Sequence, residues 1–282
     1  MFDFWIILTA CIIALNSSLL GSFLVLKRLS LIGDALSHAV LPGIVIAFLI
    51  SGQINSFWIL LGASSFGIIA ILLIDWLNRK GGFAKDSSIG IIYTLLFAVG
   101  IILITSKAKN ADIDVDCVLF GDINTVPMVP KVFGIPEPTL NLMIISFSTL
   151  CIVLLGLKGF KISSFDKEYA KTLGISIPFW NYLLMGLSSV SAVFSFDSVG
   201  AIMVIGLLVI PPSFANLLTR KLSVFLLISV TFGVLSCIFG HLIALVLDIP
   251  TIPTVGILMG LILMLTLLIQ LVKKRSSKTL NI

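Results

Sequence analysis

Long apolar blocks alternate along this chain with short polar or basic joints. A hydrocarbon layer of ~30 Å is crossed by roughly 20 helical residues. Windows of that size fall at about 4–26, 29–50, 57–77, 88–106, 138–157, 178–195, 198–219, 222–246 and 254–272. The pattern predicts an all-α, polytopic transmembrane helix bundle of about nine spans. One joint is unusual: Phe196-Asp197-Ser198 separates the sixth window from the seventh. That is too short for an ordinary loop, so eight spans plus a re-entrant piece is the alternative. The first block has no basic residue before it and is longer than the apolar part of a signal peptide, so it is expected to remain as a membrane span.

Composition narrows the classes further. Of 282 residues, 59% are hydrophobic and 11% charged, and the mean hydropathy is +1.21. A water-soluble fold is excluded, and no polar stretch is long enough to form a separate core beside a single anchor. With no internal repeat and no low-complexity tract, residues 1–282 read as one transmembrane domain. The net charge is +5, but the cations stand in short groups at block ends, so they report topology and nucleic acid is not an expected partner.

Alternating the windows across a bilayer puts Lys27, Arg28, Arg79, Lys80, Lys85, Lys158, Lys161, Lys167, Lys171, Arg220, Lys221, Lys273, Lys274, Arg275 and Lys278 on one side, and Lys107, Lys109 and Lys131 on the other. Fifteen against three is a strong positive-inside bias. It predicts an outer N-terminus, a cytoplasmic C-terminus and an odd number of crossings. The outer joint 107–137 carries Asp112, Asp114, Asp116, Asp122 and Glu137, which either concentrate cations near a mouth or form a solvated loop. The longest inner joint is 158–177. Cys11, Cys117, Cys151 and Cys237 show no metal-binding spacing, and three of them lie in apolar blocks, where a thiol packs as a small hydrophobe.

An ionisable residue inside a span costs ~2.5–3.5 kcal/mol on insertion scales and needs a partner, water or a task. Asp75 lies near the inner end of its span four residues before Arg79, which reads as a boundary ion pair. Asp197 and Asp248 fall at outer ends, within reach of water. Asp34 and His38 differ. Counted from Lys27-Arg28, they lie roughly 8 and 14 Å into the second span, on one helix face with Cβ atoms ~5–6 Å apart. One carboxylate oxygen and one imidazole nitrogen could ligate a single divalent ion there; a plain hydrogen-bonded pair joining two helices fits the same spacing. Pro42 removes the normal partner of the His38 carbonyl, and Gly33 and Gly43 allow close approach of a neighbouring backbone. His241 has no acid at i±3 or i±4 and reads as a packed histidine with one hydrogen bond. Pro211 and Pro212 free the carbonyls of Leu207 and Leu208, as a broken helix or a packing kink would.

The run from Leu26 to Gly43, Leu-Lys-Arg-Leu-Ser-Leu-Ile-Gly-Asp-Ala-Leu-Ser-His-Ala-Val-Leu-Pro-Gly, resembles the signature of the permease subunits of ABC importers for manganese, zinc and iron. Leu119-Phe120-Gly121-Asp122-Ile123, Phe165 to Gly174, and Val199 to Pro211 resemble further family blocks, in the same order. The resemblance implies that Asp34 and His38 bind the transported metal midway through the pore, with a second copy supplied by an identical partner subunit. It also implies that Phe165, Asp166, Glu168, Ala170 and Gly174 lie in the segment that docks on an ATP-hydrolysing subunit. One departure is that Ala244-Leu245 precede Asp248-Ile249-Pro250 and Ile252 follows, where the family tends to have a Ser-Tyr pair and a Gly.

The chain has no Gly-x-x-x-x-Gly-Lys-Ser/Thr loop, so it does not cradle nucleotide phosphates itself. The expected function is the permease of an ATP-driven importer of Mn²⁺, Zn²⁺ or Fe²⁺ in a bacterial plasma membrane. It would act as a homodimer with two ATP-binding subunits and an extracytoplasmic metal-binding protein, without a bound cofactor or enzymatic activity of its own. Two carboxylates and two imidazoles suit these ions better than Cu⁺. The alternative is an ion-coupled secondary transporter in which Asp34 and His38 relay protons. An intramembrane hydrolase is disfavoured because the chain offers only two such ligands and no general base.

Overall fold

The computed structural model describes residues 2–51, 56–107, 121–132 and 134–279. Eight long apolar helices dominate: α1 (Phe2–Leu26), α2 (Ile32–Ser51), α3 (Ser56–Gly81), α4 (Lys85–Lys107), α5 (Glu137–Leu155), α8 (Ile177–Leu218), α9 (Leu222–Leu247) and α10 (Thr251–Thr279). Between α5 and α8 lie two short helices, α6 (Leu157–Phe165) and α7 (Lys167–Thr172). A 3-10 turn (Ile123–Met128), capped by the Asp122 carboxylate, and a two-residue hairpin pairing Lys131–Val132 with Ile135–Pro136 precede α5. Among the described residues, eight helices, including α8, are long and apolar enough to cross a bilayer.

The 42-residue α8 would measure ~63 Å if straight, about twice the hydrocarbon thickness. It is not straight. Gly200 has φ 74° and ψ 161°, a conformation that only glycine adopts easily, and divides α8 into an arm 177–199 and an arm 201–218. Gly121 also packs directly on this backbone, where a side chain at position 121 would overlap Gly200. The arms run in opposite directions. Trp180 packs beside Gly156 and Gly159, and Asn181 accepts a hydrogen bond from Lys27, whereas Asp197 lies beside Glu137 at the other end of the bundle. The second arm starts beside Asp248 and Pro250 and returns to Gln270, whose side chain donates to the Leu217 carbonyl. Both arms therefore traverse the bundle, and the nine-segment pattern is preserved. The break lies at Gly200, just after the Phe196-Asp197-Ser198 joint, because helix geometry continues until a residue free to take positive φ is reached. The second arm continues through Pro211 and Pro212, and the Leu208 carbonyl packs on Gly21 of α1.

Helix α1 is the axis of the fold. Residues 16–24 are buried without interruption, including Asn16, Ser17, Ser18 and Ser22. Such a stretch must be surrounded by protein, and α8, α9 and α5 enclose it. Small residues allow these helices to approach closely, and several of their polar side chains bond locally or across the contact. Asn16 donates to Ser191 at 2.6 Å, Ser229 to the Ser18 carbonyl at 3.3 Å, and Thr9 pairs with Thr139 at 2.7 Å. By contrast, α10 exposes Ile257, Leu261, Leu265, Leu268 and Ile269, an apolar surface suited to lipid or to another membrane helix. Joint 158–177 is mostly helical rather than a loop, since Phe160 and Ser163 are buried and fix α6 against the bundle.

Candidate functional site

Asp34 stands in the first turn of α2, where unpaired backbone N–H groups favour an anion. It is nevertheless inside the bundle. The adjacent Gly33 faces Leu208 and Ile205, and Leu208 lies ~15 Å from the end of the second arm of α8. One turn on, His38 Nε2 lies 3.7 Å from Asp34 Oδ1. That is beyond a hydrogen bond and close to the separation of two donors sharing one cation at ~2.1 Å from each. The imidazole is oriented by α4. Tyr93 lies nearly parallel to the ring at 5.4 Å and Phe97 meets it edge-on at 5.1 Å. Nδ1 is buried and makes no hydrogen bond among the described residues. The side chains of His38 and Asp34 keep 28% and 46% of their exposure, so this face of α2 is left open among the described residues. Gly43 meets the backbone of Gly62 in α3, as its position in the sequence suggests.

Near the end of the bundle where Lys27, Arg79 and Lys158 gather, two polar clips join helices. Arg79 Nε donates to Asp75 at 2.9 Å, the expected boundary pair, and Tyr182 of α8 donates to the same carboxylate. Beside it, Lys27 Nζ donates to Asn181 Oδ1 at 2.6 Å and to Ser163 Oγ at 3.0 Å, tying α1 to α8 and to α6. Asp166 then caps α7 by accepting from the Tyr169 N–H at 2.9 Å. Ala170 is fully buried, Glu168 is exposed, and Gly174 takes φ 70° to end the segment. Phe165 and Tyr169 are more than half exposed and, with Lys158, Lys161, Ile162 and Asp166, line a concavity of about 370 Å³. At the opposite end, Asp122 and Asp248 border a larger open concavity of about 960 Å³ between the second arm of α8 and α10.

Residues 1–270 match the ABC 3 transport family. The chain belongs to that family. It is 39% identical over 247 residues to the manganese transport system membrane protein MntD of Bacillus subtilis, covering 86% of this chain and 83% of that protein. Similarity to the zinc transport system membrane protein TroD of Treponema pallidum is 35% over 209 residues, 73% of this chain and 57% of that protein. The solved structure of PsaBC from Streptococcus pneumoniae in complex with Fab superposes with a TM-score of 0.78 at 27% identity, covering 94% of this chain and 91% of that one. This ABC 3 member is thus a multi-pass permease of the bacterial plasma membrane, a transport subunit rather than an enzyme.

Several expectations for this permease can be placed. Asp34 and His38 share one face, as their spacing requires. After Phe165, Asp166 caps a short helix that contains Glu168 and Ala170, and Gly174 follows its end. Asp112, Asp114, Asp116, Cys117, Leu119 and Phe120 lie outside the described residues. Tyr93 and Phe97 went unread; two aromatics four residues apart on one span were the available signal. Tyr182 and Asn181 gave no sequence signal, because their partners sit on other helices. His241 is 1% exposed and bonded to Thr251, as a packed histidine would be, but a carboxylate from α1 lies near it as well.

Proposed function

We propose that this chain is the permease of an ATP-driven importer for divalent transition metals, Mn²⁺ or Zn²⁺ and by chemistry also Fe²⁺, and that Asp34 and His38 hold the travelling ion. The observation that carries this reading is the pair itself. A carboxylate and an imidazole 3.7 Å apart, braced by two aromatic rings, lie on a half-exposed face of an otherwise apolar helix. The carboxylate is favoured by the α2 N-terminus, and the ring can supply a lone pair. A cation between them would offset the cost of holding both in the membrane.

Two protein donors leave a divalent ion under-coordinated. A second, identical permease with its α2 face opposed would supply two more, which is the reason for assigning a homodimer. Two ATP-binding subunits would dock on α6, α7 and the exposed Phe165 and Tyr169, using Asp166 and Glu168 for polar contacts and buried Ala170 and Gly174 to set the segment's shape. An extracytoplasmic metal-binding protein would meet the end that carries Asp122 and Asp248. The positive-inside rule puts the cation-rich end, and the C-terminus, in the cytoplasm and the N-terminus outside.

The test is metal uptake and metal-stimulated ATP hydrolysis by the reconstituted complex, screened over Mn²⁺, Zn²⁺ and Fe²⁺. Uptake should require ATP and vanish in Asp34→Ala plus His38→Ala. Gradient-driven uptake by the chain alone, without an ATPase, would overturn the reading in favour of a secondary transporter.

A further inference from the structure

The structure contains a second carboxylate–imidazole pair that no helical spacing encodes. His241 of α9 is 1% exposed, and its Nε2 is fully buried without a hydrogen-bond partner among the described residues. That nitrogen lies 3.8 Å from Oδ1 of Asp3, in the first turn of α1. The other ring nitrogen, Nδ1, is 3.1 Å from the hydroxyl of Thr251, the first residue of α10 and itself buried. Three helices therefore converge on one imidazole.

We propose that Asp3 and His241 form a second binding site for a divalent transition-metal ion, separate from Asp34 and His38. If Nδ1–H donates to Thr251 Oγ1, the ring's proton is placed there and the Nε2 lone pair is left facing Asp3. This is the arrangement metal-ligating histidines adopt, with the distal N–H held by an oxygen that fixes tautomer and ring orientation. At 3.8 Å, Nε2 and Oδ1 are too far apart to satisfy each other by a hydrogen bond. Two bonds of ~2.1 Å span up to ~4.2 Å, so one ion reaches both donors. Side-chain movement of roughly 0.4 Å closes the angle to a tetrahedral value. Asp3 keeps 59% of its side-chain exposure, so water completes the coordination shell and the ion reaches the site from solvent. One nitrogen and one oxygen donor favour Mn²⁺, Zn²⁺ or Co²⁺ over the softer Cu⁺. The choice of these ions as probes rests on the transport reading; the site rests on its own donors.

The site is tested with the full-length chain in lipid nanodiscs, carrying Asp34→Asn and His38→Gln so that the first pair is silent. Titration with Co²⁺, read by its ligand-field absorption, should show one ion bound per chain. Adding Asp3→Asn or His241→Gln should weaken that binding at least tenfold, and Thr251→Val should weaken it severalfold. Asp3 is exposed, so Asp3→Asn leaves the fold alone and decides the outcome even if His241→Gln fails to assemble. With ¹⁵N-labelled histidine, His241 should appear as the neutral Nδ1–H tautomer, and Mn²⁺ should broaden it selectively. No residual Co²⁺ binding, residual binding indifferent to both substitutions, or an imidazolium His241 unaffected by metal would each overturn the proposal. Failure of the transport reading is distinct: uptake would then survive loss of Asp34 and His38, whatever Asp3 does.

Discussion

The two carboxylate–imidazole pairs have nearly equal donor separations, 3.7 and 3.8 Å, and opposite origins. Asp34 and His38 are held by one turn of one helix, so hydrogen bonding within α2 places both donors before any tertiary contact forms. Asp3 and His241 come from opposite ends of the sequence and meet only because α1 is the buried axis against which α9 packs. The first pair is half-exposed on a face the single chain leaves open. The second presents a fully buried ring to a solvated carboxylate. Local geometry puts the first pair on an open face that a partner can share, whereas tertiary packing draws the second pair from opposite ends of one chain and leaves the rest of any ion's shell to water.

The strongest challenge to this contrast is to remove the local pair. Asp34→Ala with His38→Ala should reduce ATP-dependent uptake in the reconstituted complex to background, while Asp3→Asn should leave most of it. Equal losses would mean the two pairs act as one site. A smaller effect separates them by rigidity. Asp34→Glu moves its oxygen by ~1.5 Å against a partner fixed on the same helix, and sites held to ~0.5 Å tolerate this poorly. Uptake should fall about tenfold. Asp3 sits at an exposed helix end that can adjust, so Asp3→Glu should change Co²⁺ affinity by no more than about threefold.

The packing itself can also be altered. A methyl at Gly240 would overlap the Val255 side chain and backbone, so Gly240→Ala must push α9 away from α10. It should separate His241 from Thr251 and weaken Co²⁺ binding at the second pair severalfold, with uptake through the α2 pair little changed. The smallest expected effect concerns the clip at the cation-rich end. Tyr182→Phe removes one hydrogen bond to Asp75, whose other partner, Arg79, is largely exposed. About 1 kcal/mol of stability should be lost in thermal unfolding, with both carboxylate–imidazole pairs unaffected.

Much of the molecule was legible from residue order because a bilayer imposes a simple rule. Backbone polar groups must be satisfied within each segment, so apolar blocks of span length become helices whatever surrounds them. The nine windows, the clustering of Lys27, Arg79 and Lys158 at one end, the Asp75–Arg79 pair and the one-face placement of Asp34 with His38 all depend on interactions within a few residues. The exact break in α8 was less legible. Residue order suggested Phe196-Asp197-Ser198, but the turn waits for Gly200, where positive φ is tolerated and Gly121 packs on the backbone.

Residue order alone determined that this chain is a polytopic helical membrane protein, and which helix carries a carboxylate and an imidazole in register, because hydrophobic length and helical period are local quantities. Tertiary structure decided what braces His38, what Lys27 and Asp75 hold, how α6 and α7 are folded, and that Asp3 meets His241. Those contacts join residues far apart in the chain. They exist because residues 16–24 of α1 are buried without interruption and the helices around them must bring their polar groups to one another.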